Sequence, residues 1–349
     1  MDYMLKPVLK KSVLLVLLAI VVSGCGTADN GAAQDSPTNE RFTIVTTIYP
    51  LLYFTSRITG ADTDASVDVL ALIGSGAEAH TFEPTPADIQ LLASADLIVA
   101  NGLDLEPWLD RAIDALGETD TPVVEAANVE GIRQRNAEDL HHHDGEDEDH
   151  HEEEDADHHD EEDEDHHEEE GALRWDPHLW LDPVLAAAQV EHIRDSLVAA
   201  DPNATDIYVA NAADLLADLA SLDAMYASRL AECTQRHFIT THAAYGYVAD
   251  RYGLEQISIA GLTPEAEPSP RDLADLVEQV RALGLTHVLV EPSLSSRVAE
   301  TLAAETNLGL LPIHQLESVT PDELSDHGDY LGLMRANLDS LTTALGCAA

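Results

Sequence analysis

The stretch 203–232, NATDIYVANAADLLADLASLDAMYASRLAE, decides how the chain is divided. It contains neither proline nor glycine, and Tyr208, Leu215, Leu216, Leu219, Leu222, Tyr226 and Leu230 recur at helical spacing along one face. A helix of about 30 residues is about 45 Å long, enough to run along a whole domain or to join two. On both sides of it the pattern is strand then helix, repeated. Downstream come HFIT, a helix over 244–252, QISI, a proline-rich turn, a helix over 269–283, HVLVE, a helix over 295–306, LGLLPI and a closing helix over 329–345. Upstream come FTIVTT, a helix over 49–60 closed by Gly60, VDVLALI, a helix over 86–93, DLIVANG, a helix over 106–116 and TPVVEA.

The fold class is therefore α/β: two parallel-sheet lobes joined by a long linking helix, with a cleft between the lobes. The expected boundaries are 41–202 for the first lobe, 203–231 for the helix and 232–349 for the second lobe. A chain of 349 residues is long enough for two such domains and two cores.

The stretch 175–183, WDPHLWLDP, places one histidine between two Asp-Pro steps and two tryptophans. Proline fixes its own φ and pushes the preceding residue towards extended geometry, so Asp176 and Asp182 bracket a short rigid segment rather than a helix. Trp175 and Trp180 pin that segment to a core. A histidine held this way can offer one ring nitrogen to a metal while a neighbouring acceptor orients the other. His80 lies in the loop after the second strand, His242 just past HFIT and Glu291 at the end of HVLVE. Ligands in open α/β sheets sit at the carboxyl ends of strands, and three imidazoles with one carboxylate make a full tetrahedral set for Zn²⁺.

Four segments carry a family resemblance: EAHTFEPTPADIQLLASADLIVANGLDLEPWL, DPHLWLDP, THAAYGYVADRYGLEQISIAGLTPEAEPSP and YLGLMRANLDSLTTALGC. In this order they resemble the zinc and manganese solute-binding lipoproteins of ABC importers, from about Phe42 to the C-terminus. The resemblance implies a metal between two lobes with little hinge motion, held by His80, His178 and His242 with Glu291 as fourth ligand. Glu78, two residues before His80, or a water could take the fourth place instead. Asp176, Asp182 and Glu83 read as orienting, turn or capping residues. Zinc is the expected cargo: manganese, the alternative, prefers oxygen ligands, and its family members resemble this chain except for a carboxylate where His242 stands. A membrane permease is the expected partner and a monomer the expected state. An adhesin role is an alternative. A zinc hydrolase is disfavoured, because neither HExxH nor GxSxG occurs, so no catalytic residue is assigned.

Residues 1–25 read as an export signal, with Lys6, Lys10 and Lys11 before the apolar run VLLVLLAIVV. It ends in VSGC, which resembles the lipobox of bacterial lipoproteins and makes Cys25 the lipid anchor. Residues 26–40 are small and polar, a tether. In an exported chain Cys233 and Cys347 are expected to pair. The formal net charge of −49 sets aside nucleic acid and anionic lipid as partners. Nineteen of the acidic residues fall in the run 141–170, beside His141, His142, His143, His150, His151, His158, His159, His166 and His167. Charge at this density opposes packing, so a surface loop that binds several zinc ions weakly, and feeds or senses the cleft, is expected there.

Overall fold

Strand β1 (Phe42–Thr46) is the hub of the first sheet. It pairs in parallel with β2 (Val67–Ala71) on one side and β3 (Leu97–Ala100) on the other, and β3 pairs with β4 (Val123–Glu125). The computed structural model describes residues 41–61, 66–117, 121–129, 135, 175–264, 268–292 and 297–348. Three helices return the chain between these strands: α1 (Tyr49–Thr59), α2 (Pro86–Ala93) and α3 (Leu109–Leu116). Pro50 lies in the first turn of α1, and Gly60 ends it in the left-handed region at φ 70°. Thr85 and Asp88 close a reciprocal capping box at the start of α2.

Asp182 caps α4 (Pro183–Ala200), accepting from Val184 N at 2.8 Å and Leu185 N at 3.2 Å, and it pairs with Arg251. A single 3₁₀ turn then leads into α5 (Thr205–Leu230). At 26 residues α5 is about 39 Å long. It buries Tyr208, Ala212, Leu215, Leu219, Leu222, Tyr226 and Leu230, the three-and-four spacing of one helix face.

The second sheet repeats the first in strand order: β6 (Glu255–Ser258), β5 (His237–Thr240), β7 (His287–Val290) and β8 (Gly309–Pro312), all parallel. Its helices are α6 (Gly246–Tyr252), α7 (Pro270–Leu283) and α8 (Arg297–Thr306), followed by α9 (Pro321–His327) and α10 (Tyr330–Ala344).

Helix α5 holds both halves. Asn211 Nδ2 donates to Ile58 O at 3.0 Å and Arg57 pairs with Asp218 at 2.8 Å, fixing α1. Tyr226 OH donates to Met334 O at 2.6 Å and Tyr252 OH to Asp223 at 2.9 Å, fixing α10 and α6. Instead of two separate cores, one continuous apolar cluster runs from Ile44 through Leu219 to Leu345. Each sheet adds a smaller cluster on its outer face, around Ile98 and Leu92 in the first and Val288 and Leu302 in the second. A sheet has two faces, and only the outer one is private to each half. Cys233 and Cys347 are joined as a disulfide, tying the chain just after α5 to the chain just after α10.

Two helices go beyond the sequence reading. Helix α4 is rich in alanine, and its buried stripe of Ala186, Gln189, Val190, Ile193 and Leu197 gives little apolar contrast. Helix α9 has seven residues, none buried, and its sequence mark is the capping pair Thr320 and Glu323. Among the described residues, no helix is long and apolar enough to cross a membrane.

Candidate metal centre

The order β6-β5-β7-β8 places a switch point between β5 and β7, where successive connections leave in opposite directions. His242 follows β5 by two residues and Glu291 follows β7 directly, so both stand at that point. The corresponding crevice of the first sheet, between β1 and β3, is filled by Glu106. This buried carboxylate accepts from Thr47 Oγ1 at 2.5 Å, Asn101 N at 2.8 Å and Gly102 N at 3.0 Å. The first half therefore presents its imidazoles from outside that crevice. His80 comes from the loop after β2, and His178 from the bracketed segment, where Asn101 Nδ2 donates to Pro177 O at 3.0 Å.

That segment is rigid for the reasons its sequence suggests, with one refinement. Leu179–Leu181 form a single 3₁₀ turn rather than extended chain. Trp180 is fully buried, and its Nε1 donates to Gln315 O at 2.7 Å, while its own carbonyl accepts from Tyr330 OH at 2.5 Å. These bonds bolt the His178 segment to the loop after β8 and to α10. Residue Glu317 belongs to that loop. Leu316 just before it has φ 66°, a left-handed conformation that costs a non-glycine residue about 1–2 kcal/mol. The surrounding bonds hold it: Asn337 exchanges two 2.7 Å hydrogen bonds with the backbone of His314, and Glu317 O accepts from Tyr49 N at 2.9 Å.

His80, His178, His242 and Glu317 converge, each offering one atom within 4.8 Å of all the others. His80 Nε2 lies 3.2 Å and His178 Nε2 3.3 Å from Glu317 Oε1, and His178 Nε2 lies 3.4 Å from His242 Nε2. With metal–ligand bonds of about 2.0–2.1 Å, the edge of a tetrahedron is about 3.3–3.4 Å. The spacing is thus that of a coordination shell. The orientation agrees: His80 Nε2 and both Glu317 oxygens are buried with no hydrogen bond of acceptable geometry. Leaving such groups unmet costs about 1–3 kcal/mol each, so a cation at their common focus would satisfy all of them together.

Behind the four stand two orienting carboxylates. Asp176 Oδ1 lies 2.8 Å from His178 Nδ1, and Glu291 Oε1 lies 2.7 Å from His242 Nδ1. Each holds its ring by Nδ1 and so turns Nε2 towards the centre, where it can coordinate an ion. Thr241 Oγ1 donates to the same Glu291 oxygen at 2.7 Å. Burial alone would raise the Glu317 carboxyl, but the charge of the neighbouring His80 and His178 holds it well below the usual carboxylate range. Burial would lower His178, yet Asp176 and Glu317 carry it up to about 9. Glu317 raises His80 against burial in the same way.

The three histidines expected as ligands are therefore brought together, and the expected fourth is not. Glu291 stands outside the group of four: one residue past β7, its carboxylate meets the His242 ring at Nδ1, the nitrogen turned away from the centre. Glu78 also stands outside, its Oε1 accepting from the His80 backbone at 3.3 Å, and Glu83 is exposed. Asp176 takes the orienting place. Glu317 is the residue the sequence reading missed; the one signal was its position in the loop after the last strand of the second sheet. Cys25 and the nine histidines from His141 to His167 lie outside the described residues.

Two parallel sheets on a shared core, with three imidazoles and a carboxylate meeting at their carboxyl ends, define a two-lobed α/β protein built around a metal centre. The chain belongs to the family described as zinc-uptake complex component A periplasmic, whose sequence profile matches residues 44–344. It is 34% identical over 342 residues to the high-affinity zinc uptake system protein ZnuA of Bacillus subtilis, covering 96% of this chain and 98% of that one. It is 34% identical over 305 residues to the zinc-binding lipoprotein AdcA of Streptococcus pneumoniae, covering 86% of this chain and 55% of AdcA, about half of that protein's length. The zinc-bound ZnuA-like domain of AdcA superposes with a TM-score of 0.68 at 31% identity, covering 87% of this chain and 99% of that domain. The laminin-binding protein Lmb of Streptococcus agalactiae, described as bifunctional with adhesin and metal transporting activity, superposes with a TM-score of 0.69 at 27% identity, covering 87% of this chain and 99% of that one.

Proposed function

We propose that this chain captures Zn²⁺ outside the cytoplasmic membrane and hands it to the permease of an ABC importer, with His80, His178, His242 and Glu317 as its ligands. The observation that carries this reading is the convergence of the three Nε2 atoms and Glu317 Oε1 at 3.2–3.4 Å along three edges of the group. The family's zinc-uptake relatives favour the same cargo. Imidazole-rich sets suit zinc, whereas manganese takes more oxygen ligands. Asp176 and Glu291 orient two of the rings and make them stronger donors once zinc is bound, and burial excludes water that would compete for the ion. The chain acts as a binding protein, so the ion is cargo and no catalytic residue is required.

Acylation at Cys25 would tether the chain to the membrane, and the run 141–170 would gather further zinc nearby. The test of the cleft is a competition titration of the mature protein against a chromophoric zinc chelator at substoichiometric zinc, where the tightest site fills first. The His178→Ala variant should lose that site. Wild-type affinity in this variant would overturn the assignment. Fatty-acid labelling that is lost in Cys25→Ala would support the anchor, and labelling that persists would refute it.

A further inference from the structure

A second pair of histidines repeats the geometry of the cleft. The rings of His314 and His327 lie 5.1 Å apart at an interplanar angle of 64°. In the cleft, the rings of His178 and His242 lie 5.3 Å apart at 61°. The orienting carboxylate is repeated as well. His314 Nδ1 lies 2.9 Å from Glu323 Oε1, as His178 Nδ1 lies 2.8 Å from Asp176 and His242 Nδ1 lies 2.7 Å from Glu291. Such a contact places the ring hydrogen on Nδ1 and the lone pair on Nε2, the arrangement of a metal-binding histidine.

His314 is also held in place. Glu323 Oε2 is occupied by Thr320 N at 2.9 Å and Thr320 Oγ1 at 2.8 Å, which leaves Oε1 to His314. The backbone of His314 is clamped by Asn337 through two bonds of 2.7 Å. Burial, together with neighbouring His327, lowers the pKa of His314 against the pull of Glu323. His314 is nearly buried and His327 is exposed, so the pair opens to solvent on the His327 side.

We propose that His314 and His327 form a second divalent-metal site, separate from the cleft, that takes imidazole-seeking ions such as Zn²⁺ or Cu²⁺. Among the described residues, the cleft group is the one set of three or more ligands that could hold a metal. At the second site, therefore, water completes the shell around two imidazoles. An open shell of this kind exchanges its ion more readily than the closed set of the cleft.

The test uses crystals of the full chain prepared with one and with several equivalents of zinc, and anomalous diffraction at the zinc edge. At one equivalent the cleft alone should give a peak, which serves as the internal reference. At several equivalents a second peak should appear between His314 and His327, and it should vanish in His327→Asn, an exposed substitution, while the cleft peak stays. In solution, zinc added beyond the first equivalent should shift the ring ¹⁵N resonances of both histidines, and His327→Asn should abolish the shift of His314. Absence of both the second peak and these shifts, or their persistence in His327→Asn, overturns the proposal.

Discussion

Raising the pH from 7 to 9 should tighten zinc binding far more than ordinary imidazoles would allow. Coordination needs a neutral ring, and a histidine with the usual pKa of about 6.5 is already mostly neutral at pH 7. His178 differs. Burial alone would lower its pKa, but the Asp176 hydrogen bond and the charges of Asp176 and Glu317 carry it to about 9. In the metal-free chain at pH 7 this ring holds a proton that zinc must displace. Two pKa units correspond to about 2.7 kcal/mol, or about a hundredfold in affinity. His80 is raised in the same direction by Glu317. The logarithm of Kd should fall by about one unit per pH unit just above pH 7, less steeply as pH approaches 9, and flatten above that.

The sign for stability is opposite. A raised histidine stabilises the metal-free fold fully below about pH 6.5, and that contribution is lost as pH rises through about 9. The Tm of the metal-free chain should therefore fall across the window in which zinc binds more tightly. Affinity is measured by competition with a chelator at substoichiometric zinc, and released protons are counted by calorimetry in two buffers of different ionisation enthalpy. Flat affinity between pH 7 and 9, with no proton released at pH 7, refutes the reasoning.

Glu291→Gln removes an orienting carboxylate and should weaken zinc binding by about 10–100-fold, whereas Glu317→Gln removes a ligand and should cost more. Competition titration that ranks the two the other way would reverse their roles. Leu219→Ala, at a fully buried position on α5, should cost about 2–5 kcal/mol in urea unfolding while leaving the zinc stoichiometry intact. Because Leu219 lies in the cluster that both halves share, loss should appear in one transition; a two-step curve would argue for independent cores. Replacing Cys233 and Cys347 with serine opens a link across a sequence separation of 114 residues and should cost about 2–5 kcal/mol in thermal or chemical unfolding. An unchanged Tm would show that the link adds nothing to the folded chain.

The sheets were legible because their strands are short apolar runs between turn residues. LIVA of β3 is buried at every position, and its bounds fall within the expected DLIVANG. Helix α5 was legible because its apolar residues keep one spacing for 26 residues. The shared core was not, since periodicity gives the buried face of a helix but not what covers it. Only coordinates show that Tyr226 reaches α10 while Asn211 reaches α1.

The same limit explains the carboxylates. Three histidines beside strand ends or between two Asp-Pro steps stand out in a chain with 17 histidines, nine of them in a single run. A carboxylate among 66 acidic residues does not stand out. Strand ends pointed to Glu291, and Glu291 does lie at the centre, but a side chain one residue past a strand is anchored too far back to meet the ion. It can reach only the outer nitrogen of His242. Glu317 stands five residues past β8, on a loop turned by the left-handed Leu316 and bolted by Trp180 through Gln315. That extra length lets a carboxylate from the second half fold back over imidazoles supplied by both. In this cleft the loop after β8 supplies the carboxylate that faces the imidazoles, and the end of β7 supplies the one behind the His242 ring.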